Sequence, residues 1–316
     1  MIKIDGKDVW LIDAHTHIWN KFSGIRGGDS PITNLGMGMN RLRGKEYRFL
    51  PASFQDNQVS AEIQRGYMND IGVDQVVVLQ NLCYGDQRDY VRDCIKRYPN
   101  YFVGAIGKMD PRNINEITTE IDTYVNDYGF SGIKIELPDS PFWMDAPEYD
   151  FMWKKLVDEQ LMVVIDLGYT DTPYDFNIER LERVLRKYPT LRIRLAHLGI
   201  SRLCGRVQKY PYPELQKTLA LFKIDKDNLY LDMSGMPFFN PEDEYPDSRN
   251  VNILKVVYET IGADKILWGS DFPTILNLRT MRQCLELITV QCDFLTYEDK
   301  VKILGENVLK EFRIKK

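Results

Sequence analysis

Histidine is the scarcest informative residue of this 316-residue chain, present only as His15, His17 and His197. No apolar run approaches the roughly 20 residues that cross a bilayer. The first residues also lack the basic and apolar regions of a secretory leader, so the sequence predicts a cytoplasmic protein with no membrane partner. Cys83, Cys94, Cys204, Cys284 and Cys292 are scattered, odd in number and free of any CxxC pair. That pattern excludes a disulfide framework or a zinc ribbon and predicts reduced thiols. Positive charge is in deficit: 41 Lys and Arg against 46 Asp and Glu leave a net charge of −5, which argues against nucleic acid as a partner. No glycine-rich fingerprint follows the first apolar run, which counts against an open dinucleotide-binding sheet. Linkers and low-complexity stretches are missing too, so one domain spanning 1–316 is expected.

What is present is a regular alternation. Short apolar runs at 9–14, 75–80, 102–107, 133–137, 162–167, 192–196, 229–232 and 266–269 read as strands. Helical periodicity fills 61–71, 90–98, 114–128, 151–159, 178–188, 251–261 and 279–288, and a last helix is expected over 297–312. Strand–helix units repeated in this way require a parallel sheet, because each crossover needs a helix. Eight units in about 300 residues fit a closed (β/α)8 TIM barrel of the α/β class. The exception is 19–55, rich in Gly, Arg and Asn and without a clear period. It is expected as a long loop over the barrel mouth. A second irregular stretch, 236–250, follows the seventh strand on the same face.

The scarce histidines stand where a barrel keeps its chemistry. His15 and His17 close the first apolar run at i and i+2, so an extended strand turns both imidazoles to one face at its carboxyl end. His197 ends another run and Asp271 follows a further one. In α/β barrels that end of the sheet carries the site. Two imidazoles and a carboxylate there are a donor set for a divalent metal with a position left for water.

Four segments carry a resemblance: Asp13-Ala14-His15-Thr16-His17, Gly132-Ile133-Lys134-Ile135, Ala196-His197-Leu198-Gly199 and Leu267-Trp268-Gly269-Ser270-Asp271-Phe272-Pro273. Together, in this order, they resemble the metal-dependent hydrolases of the amidohydrolase superfamily. The nearer likeness is to the branch that includes aminocarboxymuconate semialdehyde decarboxylase, resorcylate decarboxylases and several lactonases. The resemblance implies a distorted barrel and a divalent metal, zinc first, with manganese or magnesium as alternatives. It implies that His15, His17 and Asp271 hold the metal, that Asp271 also shuttles a proton, and that His197 polarises the substrate or relays a proton. The family usually places a histidine at the end of the fifth strand, where this chain has Asp166. Asp166 then becomes the fourth expected ligand, and an oxygen-richer set favours a harder metal. Some lactonases of the branch work without a metal, with the aspartate after strand eight as base.

Lys134 and Glu136, at i and i+2 on the fourth strand, are expected as substrate or metal-shell contacts, or as an internal ion pair. Arg26, Arg41, Arg43 and Arg48 in the 19–55 segment, Arg41 and Arg43 foremost, are expected as a group to supply a contact to an unsaturated or aromatic carboxylate, with Trp19 beyond the histidine pair, since arginine forks suit carboxylates. The function expected is a hydrolase that opens a small, carboxylated lactone or amide with metal-activated water. A non-oxidative decarboxylase on the same scaffold is the first alternative, and a catalytically dead barrel kept as a binding protein is the second. Relatives often dimerise, and nothing in the sequence forbids a homodimer.

Overall fold

The computed structural model describes residues 1–168, 172–200, 209–224 and 227–314; Cys204 lies outside them. Eight parallel strands form one sheet: β1 (Ile12–Thr16), β2 (Gln75–Leu79), β3 (Phe102–Lys108), β4 (Gly132–Glu136), β5 (Met162–Asp166), β6 (Arg192–Leu195), β7 (Leu229–Asp232) and β8 (Ile266–Leu267). Each pairs with its sequence neighbour, as in Lys134↔Val164 and Val164↔Arg194. The two edges meet, so the sheet closes on itself. Ala14 N donates to Trp268 O at 3.0 Å, His17 N to Phe272 O at 2.9 Å and Asp271 N to His15 O at 3.0 Å. This seam brings the histidine pair of β1 against Asp271.

Buried strands of this kind are near-continuous in Val, Ile and Leu because both faces are covered. One set of alternate residues, including Ile12, Ala14, Val77, Leu79, Met162, Val164, Ala196 and Leu267, forms a core inside the barrel, joined by Val308 from the C-terminal segment. The other set packs outward against the helices. Helix α1 (Ala61–Ile71) follows β1, and α2 (Arg88–Arg97), α3 (Ile117–Asp122), α4 (Asp150–Asp158), α5 (Ile178–Lys187), α6 (Pro213–Ala220), α7 (Ser248–Ile261) and α8 (Met281–Glu286) each follow the strand of the same number. On α5 the buried residues are Ile178, Leu181, Val184 and Leu185, one stripe at helical spacing. Ser60 caps α1 through Ile63 N at 3.2 Å, and Gly72 ends it in the left-handed region at φ 79°. The C-terminal segment runs helically from Tyr297 to Glu311 and closes the amino-terminal end of the barrel.

Two expectations are corrected, and one helix is added. The 9–14 run is not one strand: Lys7–Val9 pairs antiparallel with Ile2–Ile4, and the barrel strand begins at Ile12. The 19–55 segment is not an irregular loop. It carries a four-stranded antiparallel sheet, Ile25–Arg26, Ser30–Gly36, Met39–Leu42 and Lys45–Arg48. Its turns use residues at positive φ, Arg43 (50°) with Gly44 (77°) in a two-residue hairpin and Met37 (52°) with Gly38 (75°). Helix α6, which begins on Pro213, was not among the helices expected. The small sheet is pinned to the barrel by the buried Asn57, whose Nδ2 donates to Asn34 Oδ1 and Met39 O, both at 2.8 Å, while its Oδ1 accepts from Gly38 N at 2.7 Å.

Candidate metal and catalytic centre

Each histidine is held by its Nδ1. His17 Nδ1 lies 2.8 Å from Leu79 O and His197 Nδ1 2.9 Å from Ser234 O. A carbonyl only accepts, so both rings carry a proton on Nδ1 and turn Nε2 inward. His15 Nδ1 sits 3.0 Å from Asp232 Oδ2 and 3.0 Å from Ser234 Oγ, so its Nε2 also faces inward. Burial pushes His15 down to about 3 and lowers His17 as well, leaving both rings neutral. His17 Nε2 then faces Asp271 Oδ1 at 3.3 Å, and His197 Nε2, which has no hydrogen-bond partner among the described residues, faces Asp166 Oδ2 at 3.5 Å. With His17 neutral, lone pair meets lone pair at its contact with Asp271, an arrangement that a cation between them would relieve.

The donor chemistry fits a divalent metal. Donor atoms of His15, His197 and Asp271 all lie within 4.8 Å of one another, and all three residues are buried. Metal-binding imidazoles characteristically donate their other N–H to a carbonyl or carboxylate, as these do. Asp13, Asp166, Asp232, Asp271 and Glu136 are buried around the rings, with Lys134 as the buried ammonium among them. Burial pushes the Asp13 and Glu136 carboxyls up to about 7, the response of groups crowded into low dielectric. Asp232 goes the other way. Burial opposes its charge, yet contact with His15 holds its carboxyl below the ordinary range.

Local backbone aims these groups. His197 and Asp271 adopt φ of 56° and 65°, a left-handed conformation that non-glycine residues rarely take and that clusters at functional sites. His197 N donates to Asp232 Oδ1 at 3.2 Å. Gly235 lets the β7 loop close in, since a Cβ there would lie 2.9 Å from Asp271 Oδ2. Lys134 Nζ stands 3.5 Å from His15 Nε2 and 3.4 Å from Glu136 Oε1.

Above this floor opens a cavity of about 440 Å³. His17, Lys134, Glu136, His197 and Asp271 form its base, Tyr47, Phe49, Tyr84 and Phe238 its aromatic wall, and Arg26 and Arg48 its cationic side. The small sheet therefore does cover the mouth. Of its four arginines it presents Arg26 and Arg48 to the cavity, not Arg41 and Arg43. Arg41 turns outward and pairs with Glu46 at 2.7 Å, its register partner across the hairpin. Arg43 sits in the hairpin turn, bonded to Ser30 Oγ at 2.7 Å and to Gly27 O. Trp19 is fully buried behind the wall, stacked on Tyr84 at 4.2 Å, with its Nε1 on Asn57 O at 2.6 Å. Asp166 reaches the floor opposite His197, outside the tight donor group. Asp232 and Ser234, which orient His15, escaped the sequence reading. The signal was there: Asp232 ends the buried β7 run as Asp166 ends β5.

The amidohydrolase family model matches residues 12–314. L-fucono-1,5-lactonase from Burkholderia ambifaria is 23% identical over 317 residues, covering 96% of this chain and 95% of that protein. Among solved structures, an amidohydrolase from Burkholderia multivorans with bound zinc superposes at a TM-score of 0.70, with 11% identity over 97% of this chain and 100% of its own. A probable 2-pyrone-4,6-dicarboxylic acid hydrolase from Acinetobacter baumannii, with citric acid bound, gives 0.69 at 17% identity over 96% and 99%. The 2,6-dihydroxybenzoate decarboxylase from Rhizobium gives 0.60 at 18% over 80% and 88%. The structural likenesses show the barrel fold, and the match along nearly the whole chain shows that this protein belongs to the amidohydrolase family.

Proposed function

We propose that the protein is a metal-dependent lactone hydrolase. The observation that carries this reading is the convergence of buried, inward-facing imidazoles and Asp271 on the floor of one cavity. His15, His197 and Asp271 would hold the cation, with His17, its Nε2 3.3 Å from Asp271 Oδ1, as a further ligand and Asp166 facing His197. When bound, a divalent cation lowers the pKa of water towards about 7 and polarises a carbonyl. Asp271 takes the proton of the attacking water and returns it to the ring oxygen as the lactone opens. Lys134, buried beside His15, adds positive charge where the carbonyl oxygen becomes an oxyanion.

The wall of the cavity bears on the substrate. Asn81 Oδ1 and Glu136 Oε2 are buried acceptors without a hydrogen-bond partner among the described residues, and both residues line it. Unpaired acceptors favour a ligand that brings donors, such as ring hydroxyls. The lactonase relative supports the reaction class. Arg26 and Arg48 give the same cavity a place for a carboxylate, and with the aromatic wall they favour decarboxylation of an aromatic acid as the second reading, in keeping with the decarboxylase neighbour.

Chelator-treated protein resupplied with zinc or manganese separates the two. Hydroxylated and plain δ-lactones should release acid in a pH-stat only when metal is present. Carbon dioxide from dihydroxybenzoates without acid release from any lactone would overturn hydrolysis in favour of decarboxylation.

A further inference from the structure

Strand β1 carries an extra residue against β2. Asp13 stands opposite Val76 and Thr16 opposite Val78, so three steps on one strand match two on the other. A bulge of this kind re-aims a side chain and breaks the ladder locally. Here it contains Ala14 and His15. Asp13 Oδ1 secures one side, accepting from His15 N at 3.1 Å and from Ser270 N at 2.9 Å. The Ala14 carbonyl is bonded from an unexpected direction, by Arg194 Nη1 at 2.5 Å.

Arg194 stands on β6, with β7 and β8 between it and β1 on the near side of the ring. Its side chain is fully buried and reaches through the barrel interior to the strand that carries His15. Nε and Nη2 both bind the Glu311 carboxylate, the first at 2.8 Å. Glu311 ends the C-terminal helical segment, whose Val308 belongs to the inner core. One guanidinium thus ties three elements together: β6, the bulge of β1 and the C-terminal segment.

A buried ion pair alone is weak evidence of purpose, since apolar pairs of similar volume often replace one without loss of stability. The third bond, to the carbonyl next to His15, is what an apolar pair would not supply.

We propose that Arg194 and Glu311 are positioning residues for the donor set: their fork-to-carboxylate pair pins the β1 bulge so that His15 Nε2 stays aimed at Asp271. The proposal rests on the reading that this floor holds a divalent cation. It makes the end of the chain part of the site's architecture.

The test compares cobalt(II) binding by wild type, the charge-free double variant Arg194→Met with Glu311→Leu, and Arg194→Lys. Competition with a chelator reads affinity, the visible absorption of bound cobalt reads ligand geometry, and thermal melts read the fold. The double variant should fold, bind cobalt at least tenfold more weakly and show an altered spectrum, with Arg194→Lys intermediate. A folded double variant with wild-type affinity and spectrum overturns the proposal. Should the double variant not fold, Glu311→Gln is judged by the same two readings. Wild type that takes up no cobalt defeats the metal reading itself, and the proposal falls with it.

Discussion

Two buried polar clusters of the barrel, one around Arg194 and one at the mouth, are built in opposite ways. At the amino-terminal end, Arg194 is as buried as any side chain in the protein, yet its guanidinium is matched by Glu311 and the Ala14 carbonyl. At the mouth, His197 Nε2, Glu136 Oε2 and Asn81 Oδ1 are buried and unmatched. Burying a polar atom without a partner costs about 1–3 kcal/mol. The Arg194 cluster spends its buried polarity on the fold itself, whereas the open atoms gathered at the cavity mark a place where something else can supply the partners. The contrast agrees with the general division of barrels into a face for chemistry and a face for stability.

The largest effect that tests this contrast is at Asp271. Replacement by Asn should reduce turnover by about 10²–10⁴-fold, because an amide cannot take the proton, while circular dichroism shows an unchanged fold. Activity within a few-fold of wild type would remove Asp271 from its role as base. Next comes Asp166→Ala, which takes away the carboxylate facing His197. Metal content after dialysis should fall roughly tenfold or more, the scale seen when groups supporting a metal ligand are lost, and an unchanged content would place Asp166 outside the metal's surroundings.

Glu136 yields a pH-dependent effect of intermediate size. Burial raises its carboxyl from the usual 4.5 to about 7 in the folded chain. A raised carboxyl stabilises the folded state fully below the unfolded value, and that contribution is lost as pH rises through about 7. Wild type should therefore lose on the order of 2–3 kcal/mol from this group between pH 4.5 and 7, and Glu136→Gln should show a flatter profile in urea titrations across that range. Equal slopes in the two proteins would show that Lys134 or a bound cation already compensates the charge. The smallest effect belongs to Arg41. Its pair with Glu46 is exposed and worth about 0–1 kcal/mol, so Arg41→Ala should leave KM within about twofold, whereas Arg48→Ala, on the cavity wall, should raise it. A matching rise for Arg41 would mean that the hairpin face has been misassigned.

The barrel strands were legible because their signal is local. Runs such as Met-Val-Val-Ile at β5 and Ile-Arg-Leu at β6 declare strands wherever they lie, and punctuation between them declares the crossovers. The 25–48 sheet was illegible for the opposite reason. Its strands are short and half exposed, so neither face alternates cleanly, and its hairpins rest on positive φ at Met37 and Arg43, residues that do not advertise a turn. That omission misplaced the arginines. Once Arg41 is paired with Glu46 across a hairpin, it cannot also face the cavity. Asp232 was missed because an aspartate ending a buried strand has many ordinary uses.

By itself the sequence determined the alternation of eight strands with helices, and it determined that His15, His17, His197 and Asp271 sit at carboxyl ends of strands, since both follow from periodicities a few residues long. Only the tertiary structure decided which nitrogen of each imidazole is free. That choice rests on Leu79, Ser234 and Asp232, which lie 62, 37 and 217 residues from the rings they hold. It also decided that Arg194 should reach the strand carrying His15. Contacts of that span depend on barrel closure and on a one-residue shift in register, and no local pattern in the chain encodes either.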